Sequence, residues 1–344
     1  MKALRLSVIL PNRNHAMLLP RALDALCRQT RQADEIIVVD DNSTDTSRDV
    51  VKNFMAKLPQ LRLLENAQQL GTVLTLNRGI KEAAGEAIYC GASDDAIDPD
   101  FISTVLAALE AHPAAALACA EARLISESGT FLGYRPIILP QYRPGYVPPA
   151  AAAQLLARLD HWVLSVVTIY RRDLLLRAGG FDPTLGSLCD SFFARAAALE
   201  HGFAFVPKVL GTWNIQDDSF SRSSSTDVTV LSRMIQQGQQ RIEAAEGRIF
   251  PAGYGDIFVR RMRFASARLA VSASSFDPAL IAGLAQQGKA TSWVLHTIAA
   301  WPRPLRKIAA LGWLTLCLRP MSLPRLLGTV IVRSRRSPAD RVPG

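Results

Sequence analysis

Glu35-Ile-Ile-Val-Val-Asp-Asp-Asn-Ser-Thr-Asp45 runs from four consecutive β-branched residues straight into acids and turn formers. A short β-branched run bounded by turn chemistry reads as a strand buried on both faces, as in a parallel sheet. Asp40 and Asp41 then fall at its carboxyl end, where Asn42, Ser43, Thr44 and Asp45 supply turn and helix-cap chemistry. The pattern recurs at Ala87-Ile-Tyr-Cys90, whose exit carries Asp94-Asp95 ahead of Pro99-Asp100 and an amphipathic helix. Two strands ending in acid are a poor way to pack a core. They suit a divalent metal and a nucleotide, because ligands of open α/β sheets sit off the carboxyl ends of the strands.

Outward from these stretches, residues 4–10 and 61–64 read as further strands. Helices are expected over 18–28, with Leu19, Leu23 and Leu26 on one face, and around Val50, Val51, Phe54 and Leu58, capped by Ser43 or Thr44. Gly71 opens a third helix that ends at Gly85, and Asp100 caps a fourth over 101–111. Strands separated by helices imply right-handed crossovers and a largely parallel sheet. The middle reads as strands at 115–125 and 130–139, a proline-rich loop over 136–149, and a strand at 164–170. A short helix over 172–178, the turn Gly179-Gly-Phe-Asp182, a helix from Asp190 to Glu200, and strands at 203–206 and 209–213 follow. Beyond Ser225 the pattern is helical and punctuated by proline. The expected division is 1–225 as the nucleotide-binding and catalytic unit and 226–344 as a helical, basic region.

With 344 residues, 49% of them hydrophobic, the chain can bury one large core or two smaller ones. Its net charge of +9 is concentrated late: from Arg303 onward, Arg303, Arg306, Lys307, Arg319, Arg325, Arg333, Arg335, Arg336 and Arg341 face a single acid, Asp340. Such a tail favours anionic surfaces. The apolar run 308–318, flanked by Arg306-Lys307 and Arg319 and carrying Trp313, with Trp293 and Trp301 upstream, has two readings. It is a segment lying in a membrane interface, or a helix packed on its own domain. No stretch has the length of a membrane span. The five scattered cysteines form no CxxC, which points to reduced thiols, a cytoplasmic setting and no structural zinc. The histidines show no metal spacing, and Asp217-Asp218 reads as a solvated loop.

The order of the motifs resembles the inverting family-2 glycosyltransferases of the GT-A fold. The resemblance rests on Leu6-Ser-Val-Ile-Leu-Pro-Asn-Arg-Asn14, Ile36 to Asp45, Asn77-Arg-Gly-Ile-Lys-Glu-Ala-Ala-Gly-Glu86, Ser93-Asp-Asp-Ala-Ile-Asp-Pro-Asp100, Tyr170-Arg-Arg-Asp173, Gly179 to Asp182, and Cys189-Asp-Ser-Phe-Phe193. It implies a Rossmann-like, mixed but mostly parallel sheet flanked by helices, with a helical C-terminal extension. It also implies sugar transfer from a nucleotide-diphosphate donor to a saccharide or lipid-linked acceptor, in cell-surface polysaccharide or glycolipid synthesis. The expected setting is the cytoplasm or the inner face of the cell membrane, with an anionic membrane surface as a partner and no nucleic acid.

Glycosyl transfer sheds a diphosphate, so the resemblance implies Mn²⁺ or Mg²⁺ held by oxygen ligands. Asp95 is the first expected ligand, with Asp94 either sharing the metal or holding the donor ribose. Ala92 stands where relatives often carry a first acid. By the same resemblance Asp41 accepts from the nucleobase, and Pro11 and Arg13 line its pocket. The acceptor hydroxyl must lose a proton, and Asp190 matches the position of the base; its structural alternative is a helix cap. A sugar nucleotidyltransferase is a rival reading, but it would want a glycine-rich, lysine-containing loop where Pro11-Asn-Arg-Asn14 stands. A non-catalytic sugar- or membrane-binding protein that keeps the fold is the other.

Overall fold

The computed structural model describes residues 3–157, 165–215, 227–273, 275–319 and 322–335; Asp217, Asp218, His161, Arg336 and Arg341 lie outside them. Strands β1 (Leu6–Asn12), β2 (Glu35–Asp40), β3 (Leu61–Glu65) and β4 (Ala87–Cys90) pair in parallel in the order β3-β2-β1-β4. Helices α1 (Leu19–Cys27), α2 (Ser47–Phe54) and α3 (Thr72–Glu82) make the crossovers. After β5 (Ala96–Ile97) and α4 (Phe101–Ala111) the sheet becomes mixed. β6 (Leu117–Ser126) is flanked by β7 (Phe131–Arg135) and by β9 (Thr168–Arg171), which runs antiparallel between β4 and β6. β10 (Phe203–Ile215) lies parallel to β6 and pairs with β5 and with β8 (Gly145–Val147). The remaining helices are α5 (Pro149–Leu156), α6 (Arg172–Arg177) and α7 (Cys189–His201), followed by α8 (Val228–Ala244), α9 (Tyr254–Ser272) and α10 (Pro278–Ala285). α11 (Gly288–Ala299), α12 (Arg303–Leu318) and α13 (Leu323–Ser334) complete the described chain.

Strand alternation divides the core between the two faces of the sheet. Leu6, Val8, Leu10, Ile36 and Val38 pack with Leu19, Leu23, Phe101 and Val105 on one side. Ile9, Ile37, Val39 and Ile88 face the other, in a cluster that continues through Phe181 and Ala194 to Met234, Phe258, Leu295 and Leu318. Buried side chains from both sides of residue 225 therefore form one cluster. α13 packs Leu326 and Val332 against the same cluster and is fastened by polar contacts as well. Arg333 pairs with the fully buried Glu121 at 2.9 Å, its guanidinium lies 5.2 Å from the Tyr134 ring centroid, and the Thr329 hydroxyl accepts from Leu139 N at 3.1 Å. No helix among the described residues is long and apolar enough to cross a membrane.

Several local expectations change. The two strands at 203–206 and 209–213 are one, β10, because a bulge between Phe205 and Gly211 absorbs Pro207, which cannot donate to a ladder. The expected strand at 164–170 begins with a 3-10 turn, Ser165–Val167, before pairing starts at Thr168. The proline-rich loop contains β8 and delivers Pro149 to the first turn of α5, where its missing N–H costs nothing. Neither Ser43 nor Thr44 caps α2. Ser43 bonds Asp40, and Asp45 Oδ1 accepts from Ser47 N at 3.0 Å. Asp100 occupies the N-cap of α4, but its carboxylate takes Thr30 Oγ1 and Lys208 Nζ rather than a helix N–H.

Candidate active site

Because β2, β1 and β4 are adjacent and parallel, the loops after Asp40, Asn12 and Cys90 emerge side by side at one sheet edge. β9 runs antiparallel to β4, so the turn that precedes it, carrying Ser165, reaches the same edge. The sheet topology thus gathers acids that lie far apart in the chain.

The loop after β2 is held by its own acids. Asp40 Oδ1 accepts from Asn12 Nδ2 at 3.0 Å and from the Ser43 hydroxyl, and Oδ2 accepts from Ser43 N at 2.9 Å and Arg48 Nε at 3.1 Å. Burial alone would push this carboxyl up; the Ser43, Asn12 and Arg48 donors outweigh it and hold it below the usual range. Asp41 is also buried. Its Oδ1 accepts from Asn66 Nδ2 and Leu70 N, both at 2.7 Å, and Oδ2 from Gly71 N at 2.8 Å. Burial raises the Asp41 carboxyl, but these donors prevail and hold it low. Asp41 therefore ties the loop over 66–71 to the end of β2. Arg13 Nη1 donates to the Asp41 carbonyl at 2.8 Å, and Pro11 stands opposite Val39 in the ladder, so Pro11, Arg13 and Asp41 are neighbours.

Between these loops, Asn14 and Asn42 adopt left-handed backbone, which asparagine tolerates better than most residues. Asn14 Oδ1 accepts from Thr44 N at 2.8 Å. The next residue, His15, bonds through Nδ1 to Ser93 Oγ at 2.5 Å. The histidine thus bridges the β1 exit to the acidic loop after β4, and its ring is exposed.

Asp94 and Asp95 have unlike surroundings. Asp95 is 7% exposed, accepts from Asn214 N at 3.1 Å, and borders a small cavity lined by Leu10, Ala22, Leu26, Tyr89 and Ile97. Burial first, and the Asp94 charge second, push the Asp95 carboxyl well above the usual carboxylate range; Asn214 N–H and Arg21 pull the other way. Asp94 is half-buried, and its carbonyl accepts from Asn214 Nδ2 at 2.8 Å. Asn214 in turn accepts from Arg21 at 3.1 Å. No cluster of three or more His, Cys, Asp or Glu among the described residues could hold a metal by itself. Two carboxylates at a strand exit fit a cation that takes its other oxygens from phosphate, the usual arrangement for Mg²⁺ and Mn²⁺ on nucleotides. Of the two, Asp94 has the surroundings of a ligand-facing group.

Asp190 lies in the first turn of α7, one residue past the helix start, and does not cap it; Leu188 is the N-cap. Asp190 Oδ2 accepts from the Ser165 hydroxyl and Oδ1 from Ser191 N. Burial raises its carboxyl, partly offset by the Ser165 and Ser191 donors and the charge of the buried Arg195. The charge of Asp190 acts on Cys90, the last residue of β4, so this carboxylate sits near the exit that carries Asp94. Behind it, Tyr170, Phe181 and Phe193 form a triangle of edge-on rings with centroids 5.8–6.0 Å apart. The Gly179–Asp182 turn supports that wall. Gly179 and Gly180 both have positive φ, and a Cβ on Gly180 would lie 2.5 Å from Asn77 Oδ1. The close approach lets Asn77 clasp Phe181 twice, donating to its carbonyl and accepting from its N–H, each at 2.7 Å. Asp182 bonds Thr184 N at 2.9 Å and Arg241 of α8 at 2.5 Å, which joins the turn to the C-terminal helices.

Sequence reasoning passed over Asn214, Ser165 and His15. Asn214 is a polar residue next to the end of a long, mostly apolar strand, and His15 directly follows the polar exit of β1; those were the available signals. Ser165 had none, since its partner lies 25 residues away.

The mixed sheet with acidic loops along one edge defines an α/β domain of the GT-A class. Residues 7–175, just under half of the chain, match the model of Glycosyl transferase family 2. A PGL/p-HBAD biosynthesis glycosyltransferase of Mycobacterium bovis is 32% identical over 113 residues, 33% of this chain and 44% of that protein. Glycosyltransferase GlyG of Streptococcus pneumoniae is 35% identical over 100 residues, 29% of this chain and 33% of that protein. The chain thus spans less than half the length of these curated relatives. Among solved structures, S. aureus TarS 1-349 in complex with UDP-GlcNAc superposes with a TM-score of 0.60 at 18% identity, covering 92% of this chain and 91% of that one. Mannosyltransferase PcManGT from Pyrobaculum calidifontis, in complex with GDP-Man and Mn²⁺, gives 0.55 at 20% identity, covering 93% and 87%. At such identities these two likenesses concern the fold.

Proposed function

We propose that this chain transfers a sugar from a nucleoside-diphosphate donor to a hydroxyl of a saccharide or lipid-linked acceptor, by direct displacement with inversion. The observation that carries the reading is the half-buried Asp190 at the same sheet edge as the acidic loop of β4, with its carboxyl raised by burial. A base poised above the ordinary carboxylate range takes a hydroxyl proton more readily than a fully solvated one. Inversion follows from one displacement with a single base, and Asp190 is the acid offered on the acceptor side.

The donor side is built by three groups. Pro11, Arg13 and Asp41 line the base pocket. Asp41 accepts from Asn66, Leu70 and Gly71, with Thr75 as a further partner, and a nucleobase N–H would share these carboxylate oxygens. His15, bridged to Ser93 through Nδ1, would offer its other ring nitrogen to the diphosphate. Asp94 would hold Mn²⁺ or Mg²⁺ with the diphosphate oxygens, and the cation would neutralise charge on the leaving group. Asp95 sits behind Asp94 and sets the loop through Asn214.

Thermal shift with nucleoside diphosphates and Mn²⁺ tests the donor site, since a ligand at 100 times its Kd adds about 2.7 kcal/mol of stability. Donor turnover with and without Mn²⁺ then separates a transferase from a binding protein that keeps the fold. Asp94→Asn should abolish metal-dependent nucleotide binding. Asp95→Asn, which keeps an acceptor for Asn214 N, should preserve it. The reverse result would make Asp95 the ligand.

A further inference from the structure

From Pro278 to Arg336 the chain has no aspartate or glutamate and nine cations, Lys289, Arg303, Arg306, Lys307, Arg319, Arg325, Arg333, Arg335 and Arg336. Three of the described cations are used inside the fold: Arg306 stacks on Phe276, Arg325 donates to the Pro140 carbonyl, and Arg333 pairs with Glu121. Lys289, Arg303, Lys307, Arg319 and Arg335 are exposed and make no ion pair among the described residues. Large apolar side chains stand among them. Trp293 is 70% exposed, Ile308 69%, Leu305 55% and Trp301 46%. α12 is split lengthwise: Ala310, Leu314 and Leu318 are buried, whereas Leu305, Ile308 and Leu316 are exposed on the opposite side; Arg319 ends that exposed side, Lys289 stands one turn before Trp293 on α11, and Arg303 and Lys307 are exposed where the buried stripe begins. Trp313 belongs to the packed side, where its indole N–H donates to Thr291 Oγ1 at 3.1 Å.

We infer that the outer face of α11 and α12 docks on an anionic lipid bilayer, lying in its interface. Tryptophan and aliphatic side chains with lysine and arginine at the ends of their face match the boundary between acyl chains and anionic headgroups. A second copy of the chain fits poorly, because a face without acids would set cation against cation. A nucleic acid would meet the charges and leave the exposed aliphatic residues in water. The inference is independent of the transfer reaction, since partition is read without donor or acceptor.

The test is sedimentation of the full chain with vesicles of phosphatidylcholine, with and without phosphatidylglycerol. Binding is expected to need phosphatidylglycerol and to reverse at high salt, where screening shortens to about 3 Å at 1 M. Lys289→Gln with Arg319→Gln should weaken partition about 25-fold, about fivefold per charge. Trp293→Ser with Ile308→Ser should also weaken it, while unfolding temperature and donor binding stay unchanged because these side chains face solvent. Equal partition by the apolar pair, or equal binding to neutral vesicles, overturns the inference. So does a concentration-dependent dimer that the same substitutions dissolve, which would assign the face to a second copy.

Discussion

Replacing Asp190 by asparagine separates its basicity from its shape. In the fold, Asp190 Oδ1 accepts from Ser191 N and Oδ2 from the Ser165 hydroxyl. Asparagine keeps an acceptor for Ser191 N, and its Nδ2 can donate to Ser165 Oγ once that hydroxyl rotates. Packing is preserved, so the structural cost is small. Turnover should nonetheless fall by roughly 10²–10⁴, the share of general-base catalysis, or about 3–5 kcal/mol in the barrier. The pH dependence of stability gives a second reading. With its carboxyl raised by burial, the folded state binds more protons than the unfolded state between the ordinary carboxylate value, about 3.9, and the folded value. Wild-type stability therefore declines as pH rises through that window and stays reduced above it. Asp190→Asn loses this slope and should be at least as stable as wild type at neutral pH. The assays are steady-state transfer, calorimetric donor affinity and thermal unfolding across the window. Donor affinity should be unchanged, since Asp190 touches neither Asp41 nor the Asp94 loop among the described hydrogen bonds. A variant that keeps wild-type turnover per folded molecule but loses stability would refute the assignment and leave Asp190 a structural group of α7.

Three further outcomes follow from the same contacts. Asp41→Ala strips the acceptor from Leu70 N, Gly71 N and Asn66, so it should cost at least ~2 kcal/mol in chemical denaturation and weaken nucleotide affinity. Because the Asp41 carboxyl is held low, its contribution to stability is present above the ordinary carboxylate range and should fade as pH falls through the folded value. His15→Ala breaks the bridge to Ser93 from an exposed position; donor affinity should drop about tenfold, roughly one charge-assisted hydrogen bond, with an unchanged Tm, and unaltered calorimetric affinity would remove His15 from the site. Arg333→Met leaves the fully buried Glu121 without its cation and should destabilise by about 3–5 kcal/mol, read in urea melts; a loss below about 1 kcal/mol would mean that α13 is held by its other contacts.

Short apolar runs bounded by turn chemistry and ending in acid made the first four strands legible from residues alone: Ile36 to Val39 is wholly β-branched, and Ala87 to Cys90 is too short for a helix. The strands after β4 were less legible. β9 pairs antiparallel with both neighbours, and the β10 bulge hides in a Pro207-Lys208 pair that reads as a break between two strands. The positions of Asp41, Asp94, Asp95 and Asp190 stood out in the chain, but their roles depend on partners 25 to 120 residues away.

By itself the sequence determined the α/β class and the acids available for chemistry, because strand composition and motif order are properties of neighbouring residues. Tertiary structure decided which acids face outward. It buried Asp95 under α1 while leaving Asp94 half-exposed, and it raised the Asp190 carboxyl by packing α7 over the end of β4. It also split α12 into a packed side and a bare one, a division that one amphipathic pattern leaves open. Burial and charge pairing depend on what the fold brings across from elsewhere in the chain, and no window of sequence contains that partner.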